Sequence, residues 1–281
     1  MIQTVAIAGA GTMGSGIALS AALAGYNVVL LDTFEGALDK AIISIQKNLH
    51  TLVQKGKLPE SELQQVLLRI QTSGNPETCV ADLIIEAIVE KMEAKTSLLL
   101  RLASVNAPHC IIASNTSSLS ITGIQEKLPH PHRVAGLHFF NPAHIMKLVE
   151  VIKGKQTDVA TIHELVQFSK QLGKTPVVCT DAPGFIVNRV ARHFYLESMK
   201  AVENGMATVE QVDDIMEATG FKMGPFKLMD MIGMDINLAV SQSLFEAFNH
   251  EERFRPSNLQ IQKVEKGELG KKTGKGFYQY D

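Results

Sequence analysis

One stretch near the amino terminus constrains the fold more than any other part of the chain. It begins with the apolar run Thr4–Ala8, continues through Gly9-Ala10-Gly11-Thr12-Met13-Gly14 and an alanine-rich helical pattern, and ends with a second apolar run that closes on Asp32. A lone G-x-G-x-x-G is a weak signal, but strand, glycine loop, helix, strand and an acid about 20 residues later form a whole dinucleotide-binding unit. The sequence therefore predicts an α/β domain with a Rossmann-type, doubly wound sheet.

Each part of this unit has a physical task toward a bound dinucleotide. The first glycine permits a tight turn, the second lets the backbone approach the pyrophosphate, and the third allows close packing of helix on sheet. N–H groups at the start of the helix receive the phosphates. Asp32 accepts the ribose hydroxyls and repels a 2′-phosphate, so NAD is expected rather than NADP. The predicted cofactor-binding residues here are Gly9, Gly11, Thr12, Met13, Gly14 and Asp32.

Composition and charge exclude several classes of function. The chain has 281 residues, 45% of them hydrophobic and 20% charged, with a formal net charge of −2. Nucleic acids and anionic membranes select for concentrated positive charge, so neither is expected as the main partner. The three cysteines form neither a C-x-x-C motif nor a Cys/His cluster, so we expect reduced cysteines in a cytoplasmic protein and no metal site.

The first 31 residues carry no charged side chain, a pattern shared with signal peptides and membrane spans. The absence of a positively charged start argues against such a segment, and so do the glycines at positions 9, 11, 14 and 16. We therefore expect this region to belong to the folded domain.

The remaining patterns predict two domains. Residues 35–70 read as a helical hairpin inserted into the sheet domain, with a break at Lys55-Gly56-Lys57-Leu58-Pro59. Alternating strand and helix patterns resume near residue 82 and continue to Cys179, and the patterns after Asp181-Ala182-Pro183-Gly184 are helical. We predict a sheet domain over residues 1–183 and an all-α carboxyl-terminal domain over residues 184–281.

Polar residues suited to acid–base chemistry follow short apolar runs between residues 113 and 152. Ser117 lies in Ser114-Asn115-Thr116-Ser117-Ser118, His138 follows Val134-Ala135-Gly136-Leu137, and Glu150 lies in Val149-Glu150-Val151. An imidazole exchanges protons near neutral pH, and a carboxylate on its other nitrogen fixes the tautomer. The alternative is a core histidine bonded to a backbone carbonyl and a charge on an edge strand, and the pattern by itself does not decide.

Together these motifs resemble the 3-hydroxyacyl-CoA dehydrogenase family, and most of all its short bacterial 3-hydroxybutyryl-CoA dehydrogenases. The resemblance covers essentially the whole chain. The matching motifs are Gly9 to Gly14, Ser114 to Ser118, Gly136 to Pro142, Lys147 to Val151, Pro183 to Arg189, Gly224 to Phe226 and Gly270 to Tyr278.

The resemblance implies an NAD-dependent enzyme that interconverts short-chain (S)-3-hydroxyacyl-CoA and 3-oxoacyl-CoA. It implies that His138 is the general acid/base, Glu150 its carboxylate partner, and Ser117 and Asn188 substrate-binding groups of the active site. It also implies a homodimer or higher homo-oligomer paired through the helical domain. The residues that it places near the nicotinamide half of the cofactor are Glu90, Lys95, Asn141 and Lys272.

The resemblance further places basic residues of the hairpin near coenzyme A, and a net charge of −2 provides no global attraction for its phosphates. Lys47 and Lys55 are eight positions apart, close to two helical turns, and Lys57 continues the patch into the loop. A solvated helix face is the alternative interpretation of these lysines.

Two other functions remain open at this point. One is a hydroxyacid dehydrogenase that acts on a free acid, against which the hairpin lysines and the His138/Glu150 pair argue. The other is a catalytically lapsed relative that binds NAD, against which the intact set of Ser117, His138, Glu150 and Asn188 argues.

Overall fold

The apolar runs assemble into an eight-stranded sheet within residues 2–280, the part of the chain that the computed structural model describes. The strands are β1 (Thr4–Ala8), β2 (Asn27–Leu31), β3 (Ile70–Ser73), β4 (Leu83–Glu86), β5 (Ile111–Ser114), β6 (Val134–Phe139), β7 (Leu148–Lys153) and β8 (Thr175–Thr180). Their order in the sheet is β3-β2-β1-β4-β5-β6-β7-β8, and all neighbours are parallel except β6 and β7. The predicted doubly wound α/β fold is confirmed.

Helices cover this sheet and complete the first of two compact units. They are α1 (Thr12–Leu23), α2 (Glu35–Gln54), α3 (Glu60–Leu68), α4 (Met92–Val105), α5 (Ile121–Gln125) and α6 (Val159–Gln171). The helical hairpin predicted for residues 35–70 is formed by α2 and α3. Helix α2 buries Leu38, Ala41, Ile45 and Leu49, whose spacing of three and four residues places them on one face.

Two features of the sheet go beyond the sequence prediction. Strand β3 begins at the end of the range predicted for the hairpin and pairs with β2. Its single buried residue, Ile70, is a weak signal in the sequence. The antiparallel run of β7 follows from its connection to β6, which spans only residues 140–147. A parallel crossover needs a dozen residues or more, so the chain must turn back.

The second compact unit is all-helical, as predicted. Its helices are α7 (Val187–Glu203), α8 (Val209–Ala218), α9 (Pro225–Ile232), α10 (Met234–Ala247) and α11 (Asn258–Glu265). A Thr208/Gln211 capping box begins α8, and a proline begins α9. The first unit ends at Ala182 and the second begins at Pro183, one residue before the predicted boundary. No helix within residues 2–280 is both long enough and apolar enough to span a membrane.

Candidate active site

The glycine loop joins β1 to α1 where the strand order reverses. Strands β2 and β3 lie on one side of β1 and β4 on the other, so a crevice opens at their carboxyl ends. Gly9 has φ +111°, and a Cβ added there would lie 2.6 Å from the Ala87 carbonyl oxygen. A Cβ on Gly14 would lie 1.7 Å from the Gly9 carbonyl oxygen, so close packing requires glycine at both positions. Around Gly11, the described residues place no heavy atom within 4 Å of an added Cβ, which leaves space for a ligand.

Asp32 follows β2 and holds the glycine loop. Its Oδ2 accepts a hydrogen bond from the Ala10 N–H at 2.8 Å, and its Oδ1 accepts one from the Phe34 N–H at 3.0 Å. Beside it lies a cavity of about 500 Å³ lined by the ends of β1, β2 and β4 and by α4, within the range of roughly 300–1,000 Å³ usual for small-molecule sites. The lining residues are Gly9, Gly11, Leu31, Asp32, Thr33, Ala87, Ile88, Val89, Ala94, Ser97, Leu98 and Arg101.

The start of α1 is suited to phosphate groups. Within the described chain no side chain caps this helix, and its first turn contains no acidic residue. Its N-terminal N–H groups and the positive end of its dipole therefore remain available to an anion. Together with the open space over Gly11 and the carboxylate of Asp32, these groups fit the pyrophosphate and ribose of a dinucleotide.

Glu90 anchors the serine-rich loop, residues 115–118, which carries Ser117. Helix α4 begins at Met92, so Glu90 lies in the loop before it. Its Oε1 accepts hydrogen bonds from the Ser117 N–H at 2.9 Å, the Ser118 N–H at 3.1 Å and the Thr116 hydroxyl. Ser117 is thereby held at the carboxyl edge of the sheet, directly after β5.

Lys95 is almost completely buried, with 1% of its side chain exposed, and lies beneath this loop. Its Nζ is 2.6 Å from Glu86, 3.1 Å from Glu90 and 3.4 Å from the Ile88 carbonyl oxygen, which accounts for all three of its N–H donors. Burial raises the pKa of the Glu90 carboxyl, but Lys95 and the hydrogen bond from Thr116 outweigh it and bring that pKa below its ordinary value. Direct contact of Lys95 with the cofactor stays a prediction.

His138 and Glu150 form a cross-strand pair. The antiparallel register of β6 and β7 sets these two residues directly opposite one another, and Nδ1 of His138 lies 2.7 Å from Oε2 of Glu150. His138 is 6% exposed and Glu150 1%. The imidazole Nδ1 is thus paired with a carboxylate, as an acid–base site requires, and the ring of Phe140 lies 4.5 Å away, centroid to centroid.

Asn115 connects the serine-rich loop to β6, the strand that contains His138. Its side-chain carbonyl accepts a hydrogen bond from the Phe139 N–H at 2.8 Å, and Phe139 directly follows His138. Strands β5 and β6 are paired only as far as Ser114 and Gly136, so this side chain continues the connection beyond the ladder. Sequence reasoning assigned no role to Asn115; its signal is an amide placed directly after a buried strand.

A second cavity, of about 380 Å³, lies on the other side of the glycine loop. Its walls come from α1, α2 and the loop after β6, which brings the predicted cofactor residue Asn141 into this space. The polar residues lining it are Thr12, Ser15, Lys40, Ser44, Asn48, Asn141 and His144. Sequence reasoning did not anticipate Ser44 and Asn48, because small polar residues are ordinary on a helix surface.

The hairpin lysines are exposed, with Lys47 on α2, Lys55 at its end and Lys57 in the following turn. At 100° per residue, Lys47 and Lys55 lie on the same side of α2 as the cavity-lining Lys40. The structure therefore places Lys47 and Lys55 along a polar stripe that leads away from the second cavity.

Two predicted site residues belong to the second unit. Asn188 lies in the first turn of α7. Lys272 forms an ion pair with Asp235, whose Oδ1 and Oδ2 lie 2.5 and 2.7 Å from its Nζ. Their predicted contacts with substrate and cofactor stay predictions.

Comparison with known protein families agrees with this geometry. Residues 4–182 match the model of the 3-hydroxyacyl-CoA dehydrogenase NAD binding domain, and residues 184–280 match that of the same family's C-terminal domain. The chain belongs to the 3-hydroxyacyl-CoA dehydrogenase family. The resemblance drawn from the motifs is confirmed, and so is NAD as the cofactor.

Individual relatives match over the whole chain. The sequence is 46% identical to 3-hydroxyadipyl-CoA dehydrogenase of Escherichia coli, covering 99% of this chain but only 59% of that protein. It is 41% identical to the mitochondrial hydroxyacyl-coenzyme A dehydrogenase of Sus scrofa, covering 100% of this chain and 92% of the relative. The crystal structure of (S)-3-hydroxybutyryl-CoA dehydrogenase from Ralstonia eutropha superposes with a TM-score of 0.95 at 39% identity, and all of both chains is covered.

The contrast between Gly11 and Gly14 gives a first prediction. Gly11→Ala is expected to fold normally but to weaken NADH binding about fivefold or more, because its methyl group occupies the space over the loop and overpacking costs about 1–3 kcal/mol. Gly14→Ala is expected to lower the melting temperature, because its Cβ must displace α1. Fluorescence titration with NADH and thermal unfolding check both, and unchanged NADH affinity in Gly11→Ala would contradict the assignment of this space.

The position of Asp32 gives a second prediction. The unmodified protein is expected to prefer NADH to NADPH, and Asp32→Asn to reduce that preference about fivefold or more, since like charges near 4 Å repel by about 1–4 kcal/mol. Asparagine keeps a side-chain oxygen that can accept from the Ala10 N–H, so the loop is retained. Dissociation constants for both cofactors measure the ratio; equal affinity of the unmodified protein for both would show that Asp32 does not face the ribose.

Proposed function

We propose that this protein is an NAD-dependent dehydrogenase that interconverts (S)-3-hydroxyacyl-CoA and 3-oxoacyl-CoA, with 3-hydroxybutyryl-CoA and acetoacetyl-CoA as its short-chain substrates. The observation that carries the proposal is the buried His138–Glu150 pair. It lies at the same sheet edge as Ser117 and the cofactor cavity. The names of the relatives from Ralstonia eutropha and Sus scrofa support the same reaction class.

Oxidation of a secondary alcohol removes a hydride from carbon and a proton from oxygen. NAD supplies the hydride acceptor when bound, and the chain supplies orientation and proton transfer. Because Nδ1 of His138 is engaged with Glu150, the proton passes from the substrate hydroxyl to Nε2. The Glu150 carboxylate stabilises the imidazolium that forms. In the reducing direction the imidazolium returns this proton to the carbonyl oxygen.

Ser117 is proposed to donate its hydroxyl hydrogen to the substrate oxygen. Its backbone is held by Glu90, so the hydroxyl is presented from a fixed loop. Asn188 is proposed as a second donor to the substrate, by its match to the family motif. Fixed donors of this kind stabilise charge that develops on oxygen in the transition state.

The coenzyme A part of the thioester substrate is proposed to lie along the polar side of α2. Lys40, Ser44 and Asn48 line the cavity beside the glycine loop, and Lys47 and Lys55 continue this side into solvent. Lysine side chains bind phosphates as mobile point charges. A local cationic stripe can therefore hold coenzyme A although the net charge of the chain is −2.

The acid–base assignment gives a third prediction. His138→Gln is expected to lower kcat for acetoacetyl-CoA reduction by about 10²–10⁴-fold, the usual contribution of positioned proton transfer, while NADH affinity is retained. Glu150→Gln is expected to lower kcat as well, because the imidazolium loses its counter-charge. NADH oxidation in stopped-flow and steady-state assays measures both.

A matched control is His163→Gln, which removes an exposed histidine from α6 and is expected to leave kcat unchanged. Acetoacetate as a free acid serves as a second control, since activity equal to that with the thioester would favour a free-acid dehydrogenase. A variant of His138 or Glu150 that lost only substrate affinity would refute the catalytic role of that residue. An unmodified protein that binds NADH without thioester-dependent turnover would indicate a lapsed relative.

The hairpin lysines give a fourth prediction. Each exposed contact contributes only about 0.2–1 kcal/mol, so the changes are combined as Lys47→Ala/Lys55→Ala/Lys57→Ala. This variant is expected to raise KM for acetoacetyl-CoA about threefold to a hundredfold, with the larger defects at low ionic strength, where charge attraction is unscreened. KM for NADH is expected to stay unchanged.

The charge-matched control is Lys127→Ala/Lys153→Ala/Lys155→Ala, three exposed lysines remote from the carboxyl edge of the sheet. A truncated thioester without phosphates tests whether these lysines act on the phosphates of coenzyme A. If KM rises equally with this truncated substrate, or does not rise with the full one, the phosphates bind elsewhere.

A further inference from the structure

Glu86 carries a completely buried carboxylate at the carboxyl end of β4. Its Oε1 accepts hydrogen bonds from Nζ of Lys95 at 2.6 Å and from the Ile88 N–H at 2.7 Å. Its Oε2 accepts one from the Ser114 hydroxyl at 2.6 Å. A buried ion pair is weak evidence for stability, because well-packed apolar residues often serve a core at least as well. The ordered charge at this position therefore points to a role in arranging its neighbours.

One branch of contacts leads from Glu86 through Lys95 to the serine-rich loop. The Lys95 ammonium lies between the two carboxylates, 2.6 Å from Glu86 and 3.1 Å from Glu90. Glu90 in turn accepts from the backbone of Ser117 and Ser118. Removing the charge of Glu86 leaves Lys95 with a single carboxylate and draws it toward Glu90, which shifts the anchor of the loop.

A second branch reaches the same loop through Ser114. Strands β4 and β5 pair Glu86 directly with Ser114, and the Ser114 hydroxyl that donates to Glu86 also accepts from the Thr116 N–H at 3.3 Å. The two branches thus hold the loop at two adjacent residues, Thr116 and Ser117.

We propose that Glu86 is a positioning residue for the dehydrogenase reaction, which sets the place of the Ser117 hydroxyl relative to His138 through Lys95 and Ser114. The inference rests on the proposed function of Ser117. Glu86 itself touches neither substrate nor cofactor in this scheme. Its effect on rate arises because small displacements of a catalytic group of about 1 Å lower rates by up to about 10²-fold.

The test is a double-mutant cycle between Glu86 and Ser117. Glu86→Gln keeps the shape of the side chain and removes its charge, and it is expected to lower kcat for acetoacetyl-CoA about 10- to 100-fold. In a Ser117→Ala background the same change is expected to cost less than about twofold, because the group that it positions is gone. An equal loss in both backgrounds, or unchanged kcat in Glu86→Gln alone, would overturn the proposal.

Ser114→Ala provides a second and milder variant should Glu86→Gln fail to fold. It removes one donor from Glu86 and is expected to lower kcat in the presence of Ser117 but not in its absence. Ser169→Ala is the matched control, because Ser169 is equally buried and its hydroxyl donates to the Leu165 carbonyl on α6. The kcat of Ser169→Ala is expected to equal that of the unmodified protein. A loss of kcat in this control as large as that in Ser114→Ala would overturn the proposal.

Amide hydrogen exchange separates this inference from the proposed function. Exchange in residues 115–118 is expected to be faster in Glu86→Gln than in the unmodified protein, whether or not the thioester is turned over. Unchanged exchange would overturn the positioning role even in an active enzyme. Absence of thioester-dependent NADH oxidation in the unmodified protein would refute the proposed function instead, and with it the catalytic part of the inference.

Discussion

The antiparallel pairing of β6 with β7 is the constraint on which the candidate active site depends. It sets Glu150 opposite His138, where side chains on one face of a sheet lie about 4.5–5.5 Å apart at Cβ. Both side chains are buried, so their interaction is stronger than it would be in water. A slip of one residue in the register would turn Glu150 to the opposite face of the sheet. Strand register and acid–base chemistry are therefore set by the same hydrogen-bond ladder.

The carboxyl edge of the sheet is ordered by side chains that accept hydrogen bonds from the backbone of a neighbouring loop. Asp32 accepts from Ala10, Glu90 from Ser117, and the amide carbonyl of Asn115 from Phe139. Each acceptor follows one strand and holds a segment at or after the carboxyl end of another. The glycine loop, the serine-rich loop and the end of β6 are thus kept in fixed relation, which is what a site needs for defined geometry. The buried Glu86–Lys95 pair extends this arrangement beneath the edge.

Structural features differ in how well the sequence predicts them, because their signals differ in range along the chain. The glycine loop, Asp32, the α2–α3 hairpin and the cap at Thr208 were predictable, since each depends on residues close together in the chain. Edge strand β3 is not apparent in the sequence, because a single buried apolar residue marks it. Glu86 and Asn115 were overlooked as site residues, because their partners lie 9 to 28 positions away and carry no common motif.

The sequence by itself determined the fold class, the cofactor unit and the family, because glycine requirements, hydrophobic periodicity and helix capping depend on residues close together in the chain. Only the tertiary structure decided how the polar residues combine. It paired His138 with Glu150 through an antiparallel register, buried Lys95 between two carboxylates and held Ser117 on Glu90. The physical reason is that such contacts depend on which strands become neighbours and which polar groups are buried away from solvent. Both are properties of the assembled sheet.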